Sequence, residues 1–217
     1  AGDGGWRGTG GAGRRGGGRR VRAVLLAILL AAVGSAVPVG PPVEAAESDL
    51  TIVSAARYDV LPESGLVRVT ADLTIRYRRA ETRARRYYVE DVFLAVMPGT
   101  SGFRVTGDGG PSVRVSRETK THTLLRLDLG ERLYGGGTRS LRLRFDLRDP
   151  GGSPTRELRV GEALVAFPVW AFASDGAGPS SVTVVVPPEY EVEVGSGPLP
   201  DRSVTADGRQ VLRSGSI

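Results

Sequence analysis

The stretch Val67-Arg-Val-Thr-Ala-Asp-Leu-Thr-Ile-Arg-Tyr77 decides the fold. Apolar residues take every second position in it, and Arg, Thr and Asp fill the positions between them. Successive side chains of a β-strand point to opposite faces of the sheet, so this stretch buries one face and exposes the other. The alternation therefore predicts a long amphipathic strand that covers a hydrophobic core.

The rest of the chain repeats this signal. The same alternation recurs at 125–129, 141–147 and 190–194. β-Branched and aromatic content predicts further strands over 50–60, 87–96, 112–116, 163–172 and 181–186. Turn residues separate the runs at 62–65, 98–99, 107–111, 135–137, 149–152, 175–179 and 207–208. No helical periodicity follows residue 46, so we predict an all-β domain, an antiparallel β-sandwich or a curved saddle-like sheet.

Alternation also predicts which side chains form the core. The expected core residues are Val69, Leu73, Ile75, Leu141, Leu143, Phe145 and Trp170. The stretch from Phe167 to Phe172 is the most aromatic part of the chain. Aromatic rows on a sheet can stack on sugar rings, but they more often fill the space between layers, so we expect this stretch to be core.

The first 45 residues have the order of a secretory signal. Residues 1–22 are rich in Gly and Arg, and residues 23–45 hold an eleven-residue apolar run followed by small residues and prolines. A basic segment, a short apolar segment and a small-residue exit are typical of a signal peptide. The apolar run is too short to span a bilayer core of about 30 Å, which disfavours a membrane anchor.

We expect cleavage near Ala45, which makes Ala46 the first mature residue, with Ala36 as the other candidate. Residues 46–217 are then a secreted or cell-surface domain. The net charge of +5 arises from six Arg and one Asp within residues 1–23, since the remaining chain has 23 basic and 23 acidic residues. We therefore predict no nucleic-acid binding by the folded part. The chain has no Cys, which excludes disulfides and thiolate metal sites.

Three motifs could carry chemistry, and each has a plainer interpretation. His122 is the only histidine, so the paired histidines of a helical zinc site are absent, and its neighbours predict the start of a strand. Gly135-Gly-Gly137 precedes an alternating strand and not the helix of a phosphate loop, so we expect a turn. Glu189, Glu191 and Glu193 are expected to form the solvated face of a strand.

Two further groups could bind ligands. Asp108 and Asp175 lie in Gly-rich turns but lack the spacing of a calcium loop. Basic residues at 78–86 run into Tyr87 and Tyr88, a combination that can bind single-stranded nucleic acid or an anionic glycan. Acidic residues nearby favour a charged hairpin whose tyrosines pack on the next strand.

The order of several segments resembles a known family. The segments are Tyr87-Tyr-Val-Glu-Asp-Val-Phe-Leu-Ala-Val96, Leu133-Tyr-Gly135, Leu141-Arg-Leu-Arg-Phe-Asp-Leu147, Arg159-Val-Gly-Glu-Ala-Leu-Val-Ala-Phe167 and Val182-Thr-Val-Val-Val-Pro-Pro-Glu-Tyr-Glu-Val-Glu-Val194. Over 57–213 the chain resembles the N-terminal β-domain of secreted, actinobacterial-type zinc metallopeptidases of the gluzincin clan, and it is distantly similar to the N-terminal domain of zinc aminopeptidases.

The resemblance implies a chain without its own active site. In that family zinc is bound by an HExxH helix and a downstream Glu in the domain that follows, and no position here matches them. We therefore expect no catalytic, cofactor-binding or metal-binding residue in this chain. We also expect that the chain is truncated before a catalytic domain. Its expected partners are that catalytic domain and a peptide substrate. The alternative is a free-standing extracellular β-sandwich that binds glycan or cell wall. Under both hypotheses we expect the β-domain to make no contact with a membrane.

Overall fold

The computed structural model describes residues 49–80, 87–151, 157–174, 178–197 and 199–217. The expectations for residues 1–22, residues 23–45 and the cleavage site at Ala45 lie outside the described residues. The domain expected over 46–217 is described from residue 49 onward, with the gaps just given.

The described chain forms strands joined by turns. In chain order the strands are β1 (Leu50–Leu61), β2 (Leu66–Tyr77), β3 (Tyr88–Val96), β4 (Thr100–Gly107), β5 (Ser112–Glu118), β6 (Thr123–Tyr134), β7 (Thr138–Arg148), β8 (Arg159–Val160), β9 (Val165–Ala166), β10 (Ser181–Val186), β11 (Asp201–Val204) and β12 (Gln210–Arg213). One 3₁₀ turn at Pro62–Ser64 is the only helical element of the described ranges. The all-β prediction is confirmed.

The strands form one large sheet and two small ones. The seven-stranded sheet has the order β11-β12-β10-β1-β2-β7-β4, the three-stranded sheet has the order β3-β6-β5, and β8 pairs with β9. β1 and β2 form a hairpin in register over all twelve positions of each strand. Gly65 closes its turn at φ 62° and donates its N–H to the Pro62 carbonyl oxygen at 2.9 Å. Glycine adopts this left-handed conformation without steric cost.

One strand pair corrects the antiparallel expectation. β10 lies parallel to β1, with Ala55 opposite Ser181 and Asp59 opposite Val185, so the large sheet is mixed. A hairpin cannot join parallel neighbours, which need a crossover connection. Here the chain between β1 and β10 builds β2, the three-stranded sheet and β7 before it returns to the free edge of β1.

The core lies between the two larger sheets. Val69 and Leu143 of the large sheet belong to one hydrophobic cluster with Leu94 and Leu127 of the three-stranded sheet. Six of the seven predicted core residues are buried, namely Val69, Leu73, Ile75, Leu141, Leu143 and Phe145. The prediction for Trp170 is wrong in part, because this ring is only half-buried and packs against the cluster from outside.

Two predicted strands are wrong. Within 163–172 only Val165–Ala166 is a strand, followed by Pro168, which has no N–H to donate to a ladder. Residues 190–194 form no strand, although Tyr190 and Val192 are buried. An extended segment can bury every second side chain in a core even when no strand lies beside it. Its sequence then alternates like that of a strand, although its backbone makes no ladder hydrogen bonds.

Leu143 provides the test of this core. Its side chain is fully buried, with Ala71 of β2 and Val105 of β4 beside it in register. Leu143→Ala removes buried methyl groups and leaves a cavity, so we expect a loss of about 2–5 kcal/mol in the free energy of unfolding, measured by urea denaturation. Val204→Ala, at a side chain that is 68% exposed, is the control. An unchanged unfolding curve for the Leu143 variant would contradict the assigned facing.

Candidate functional site

Exposed large apolar side chains concentrate on the three-stranded sheet. Four of the six exposed large hydrophobic residues of the described chain lie there: Tyr88, Phe93, Val115 and Tyr134. Phe93 is 52% exposed, because Val92 and Leu94 on either side of it point into the core. A group of exposed apolar side chains often marks an interaction site. The sheet that carries Phe93 is therefore the candidate surface.

A groove lies beside Phe93. β3 is an edge strand with β6 on one side, and beyond its free edge runs the segment 170–174. Strand and segment enclose a groove of about 250 Å³, which we call the β3 groove. Its lining residues are Ile52, Phe93, Leu94, Ala95, Trp170, Ala171, Phe172, Ala173 and Ser174. Apart from Ser174, these side chains are apolar, so the groove suits an apolar ligand surface.

Polar side chains of β1 hold the segment 170–174 in place. The Tyr58 hydroxyl donates to the Trp170 carbonyl oxygen at 2.8 Å and accepts the Trp170 N–H at 2.9 Å. The Ser54 hydroxyl accepts the Phe172 N–H at 3.0 Å. Main-chain groups of a segment without strand partners must find other hydrogen bonds when they are buried. Tyr58 and Ser54 supply these bonds.

The last residue of the segment binds the edge of β1 directly. The Ser174 N–H donates to the Ile52 carbonyl oxygen at 3.0 Å, and the Ile52 N–H donates to the Ser174 hydroxyl at 2.8 Å. Aromatic contacts fix the inner side, with the Tyr58 and Phe167 rings 5.9 Å apart and the Phe145 and Phe172 rings 6.1 Å apart. One wall of the β3 groove is therefore part of the fold and not a loose loop.

Burial also raises the pKa of the Tyr58 hydroxyl above its usual range. The side chain is completely buried, and an apolar environment disfavours the phenolate. The hydroxyl therefore remains protonated in the folded chain at pH values where an exposed tyrosine ionises.

A second exposed group lies at one end of the three-stranded sheet. Tyr88 and Tyr134 are opposite each other in register, with ring centroids 6.0 Å apart. The Arg132 guanidinium lies 4.4 Å from the Tyr88 ring centroid and donates to the Glu90 carboxylate at 2.9 Å. The hydrogen bond to Glu90 is the main cause that raises the pKa of Arg132. The cation is neutralised within its own cluster.

The same pattern holds for Tyr87. The Arg79 guanidinium lies 3.8 Å from its ring centroid. A ring face that is covered by a guanidinium is not open to a stacked base or sugar, so the structure favours packing tyrosines over a nucleic-acid or glycan platform. Three other basic residues of that motif, Arg83, Arg85 and Arg86, lie outside the described residues.

The other motifs singled out from sequence do not meet in one site. His122 lies in the turn between β5 and β6, and among the described residues its ring nitrogen Nδ1 contacts the Thr119 and Thr121 hydroxyls, at 3.3 and 3.0 Å. Gly135-Gly-Gly137 forms the turn between β6 and β7, as predicted. The Gly136 N–H donates to the Tyr77 carbonyl oxygen at 2.7 Å, which joins this turn to the end of β2.

The acidic candidates are exposed and dispersed. Glu189, Glu191 and Glu193 are exposed as predicted, but they lie outside any strand. Asp108 lies in the turn between β4 and β5, and Asp175 lies outside the described residues. In the described part of the chain, no three or more His, Asp or Glu side chains come close enough together to hold a metal ion. The residues present do not fit a zinc site, and we assign no zinc chemistry to them.

No helix in the described ranges is long and apolar enough to cross a membrane.

The β3 groove was not predicted from the sequence. The alternation within 87–96 places Phe93 among the outward-facing positions, so the sequence alone indicates that this side chain is exposed. The other wall depends on a segment predicted to be a strand, and its contacts join residues more than 110 positions apart. Local patterning does not contain such pairings.

The chain matches no protein-family model and no curated protein. Among solved structures, a mutant form of the M1 zinc metallopeptidase from Deinococcus radiodurans is 18% identical, with a TM-score of 0.36 over 76% of this chain and 38% of that one. Leukotriene A4 hydrolase from Saccharomyces cerevisiae is 11% identical, with a TM-score of 0.43 over 81% of this chain and 30% of that one. Both likenesses are loose, and the chain spans less than two fifths of the length of either protein.

Tyr58→Phe tests the attachment of the groove wall. It leaves the partly buried Trp170 N–H without its acceptor, so we expect a loss of about 1–3 kcal/mol in the free energy of unfolding at pH 8. Above pH 10 the parent's unfolded state releases the Tyr58 proton while its folded state retains it, so the parent loses stability as the pH rises. The phenylalanine variant lacks this contribution, and the difference between the two proteins should shrink.

Urea denaturation at pH 8 and at about pH 11 measures this, since a free tyrosine ionises near pH 10. Tyr88→Phe, at a 46% exposed ring, is the matched control. A stability difference that stays constant between the two pH values would show that the Tyr58 hydroxyl is not held as described.

Proposed function

We propose that this chain is the non-catalytic N-terminal β-domain of an exported zinc metallopeptidase, and that it supports a catalytic domain that follows it. The observation that carries the proposal is the exposed apolar β3 groove on a domain whose described residues offer no metal-binding group. The peptidase class comes from the sequence resemblance of the strands over 57–213. Export is inferred from the signal-like order of residues 1–45.

The β3 groove is the surface that we assign to the catalytic domain. Phe93 and Trp170 present apolar area on its two sides, and burying such area against a partner is the main favourable contribution to association. The groove walls are held by the core and by β1, so little ordering is required when a partner binds. We propose an apolar ridge of the following domain as the occupant.

The free edge of β3 outside the groove, from Tyr88 to Val92, gives the domain a means to help position substrate. One side of this strand is paired with β6, and the other side has no strand beside it in the described chain. An extended peptide can add to such an edge through main-chain hydrogen bonds, largely independent of its sequence. This role fits a peptide substrate that the neighbouring domain cleaves.

The 217-residue chain should not hydrolyse peptides. Catalytic zinc takes three protein ligands and leaves a position for water, and the chain has one His and no Cys to supply ligands. We expect that the 217-residue chain does not cleave a fluorogenic peptide library, with or without added Zn²⁺. The complete encoded protein should cleave the library, and a chelator should abolish this cleavage. Chelator-sensitive cleavage by the short chain, abolished by His122→Ala, would overturn the proposal.

Phe93→Asp tests the docking surface. In the complete encoded protein we expect the charged side chain to separate this domain from its neighbour, because burying a carboxylate against an apolar ridge is costly. Calorimetry should then show two unfolding transitions in place of one coupled transition. Val204→Asp, on the exposed strand β11, should leave a single transition. Coupled unfolding in both variants would place the domain contact elsewhere.

The free-standing binding module predicts a different result. Two findings together would favour that alternative. The complete encoded protein would lack an HExxH-containing domain, and it would bind cell-wall glycan through the surface of Tyr88 and Tyr134.

A further inference from the structure

The outer face of the seven-stranded sheet is strongly basic. On β1, β2, β7 and β4 the side chains that point away from the core include seven Arg and three Asp: Arg57, Arg68, Arg76, Arg104, Arg142, Arg144 and Arg148, against Asp59, Asp72 and Asp146. The chain after residue 23 is neutral as a whole. The positive charge is therefore concentrated on this face by the fold.

The three aspartates are already occupied. Asp72 pairs with Arg142 at 2.6 Å and Asp59 with Arg57 at 2.8 Å. Asp146 lies between two arginines, 3.1 Å from Arg68 and 3.7 Å from Arg148. These pairs leave no carboxylate on this face for the remaining cations.

Arg104 and Arg144 form the centre of the excess charge. They lie directly opposite each other on β4 and β7, both are exposed, and neither makes an ion pair with a described residue. Like charges directly opposite on neighbouring strands are destabilising. The fold thus places two arginines without a described carboxylate partner at directly opposite positions, from which their guanidinium groups can act together on one phosphate or carboxylate.

The pair extends into a row across the sheet. Arg57 of β1, Thr70 of β2, Arg144 of β7 and Arg104 of β4 are successive neighbours in register. Strands lie about 4.8 Å apart, so the row is roughly 14 Å long. We call it the arginine row. It contains three arginines and one threonine and no carboxylate, in a straight line across the outer sheet face.

The surroundings of the arginine row select the kind of partner. None of the exposed large hydrophobic residues of the described chain lies on this face. The centre of a protein interface is normally apolar, so this polar face disfavours a protein partner. A single-stranded nucleic acid is also disfavoured, because its bases would find no aromatic side chain to stack on. A linear polymer with repeated anionic groups needs neither feature.

We propose that the arginine row binds a linear anionic polymer without bases, through its repeated phosphate or carboxylate groups. Arg104 and Arg144 make the central contact with one such group. The charge of Arg57 is neutralised by Asp59, so Arg57 adds only the N–H donors of its Nη1 to the next group along the row. This surface lies on the opposite sheet from the β3 groove, so the inference holds whether or not the proposed peptidase role does.

The test measures binding of fluorescent polyphosphate and polygalacturonate to the whole 217-residue chain at low salt. The two polymers distinguish phosphate from carboxylate recognition. The double variant Arg104→Gln/Arg144→Gln should weaken binding of at least one polymer by about tenfold and reduce the salt dependence of the association constant. The control Arg114→Gln/Arg117→Gln removes the same charge from exposed positions of β5.

The six arginines of residues 1–22 are present in every variant, so the leader contributes equally to each measurement. A second readout is the labelling of arginines by phenylglyoxal, in which the polymer should protect Arg104 and Arg144 but not Arg114 or Arg117. Equal losses of binding in the two double variants, or equal labelling with and without polymer, would overturn the proposal. So would a failure of both polymers to bind.

Discussion

The burial of one face of β2 constrains everything else in this structure. β2 lies inside the large sheet between β1 and β7, and its alternate side chains from Val67 to Ile75 are completely or almost completely excluded from solvent. A sheet with one apolar face needs a second layer to cover it. Strands β3 and β6 supply that layer over part of the sheet, and the stretch from Val165 to Phe172 supplies more of it without forming a long strand.

The irregular part of this cover explains the polar groups in the core. Main-chain N–H and carbonyl groups that leave a sheet must still be satisfied. Ser54 and Tyr58 on the inner face of β1 provide bonds to Phe172 and Trp170, and Ser180 accepts the N–H of Ser54 at 3.0 Å. The groove beside Phe93 exists because this segment is held at a distance from the free edge of β3. The fold and the candidate site thus depend on the same few hydrogen bonds.

Period-two patterning predicted the strands that pair along their whole length. β2, β6 and β7 follow it closely, and their inward residues match the expected core. The same pattern gave a wrong strand at 190–194, since Tyr190 and Val192 reach the core from an extended segment without a ladder. β4, β8 and β11 were not predicted, because they are short, polar or Gly-containing and their position depends on longer neighbours. Neither the parallel β1–β10 pair nor the placement of Arg104 opposite Arg144 is visible locally, because register across distant strands creates both.

The two outer faces of the domain carry different candidate sites, and the functional account depends on this separation. The large sheet has a net positive outer face with the arginine row, while the three-stranded sheet carries Phe93 beside the groove, next to the ion pair of Arg126 and Asp91. Hydrogen exchange of backbone amides, measured by mass spectrometry on this chain alone and within the complete encoded protein, tests the account most directly. A docked catalytic domain should slow exchange in peptides covering 88–96 and 170–174 and leave those covering β4 and β7 unchanged. Slower exchange confined to β4 and β7, or no difference anywhere, would contradict the account.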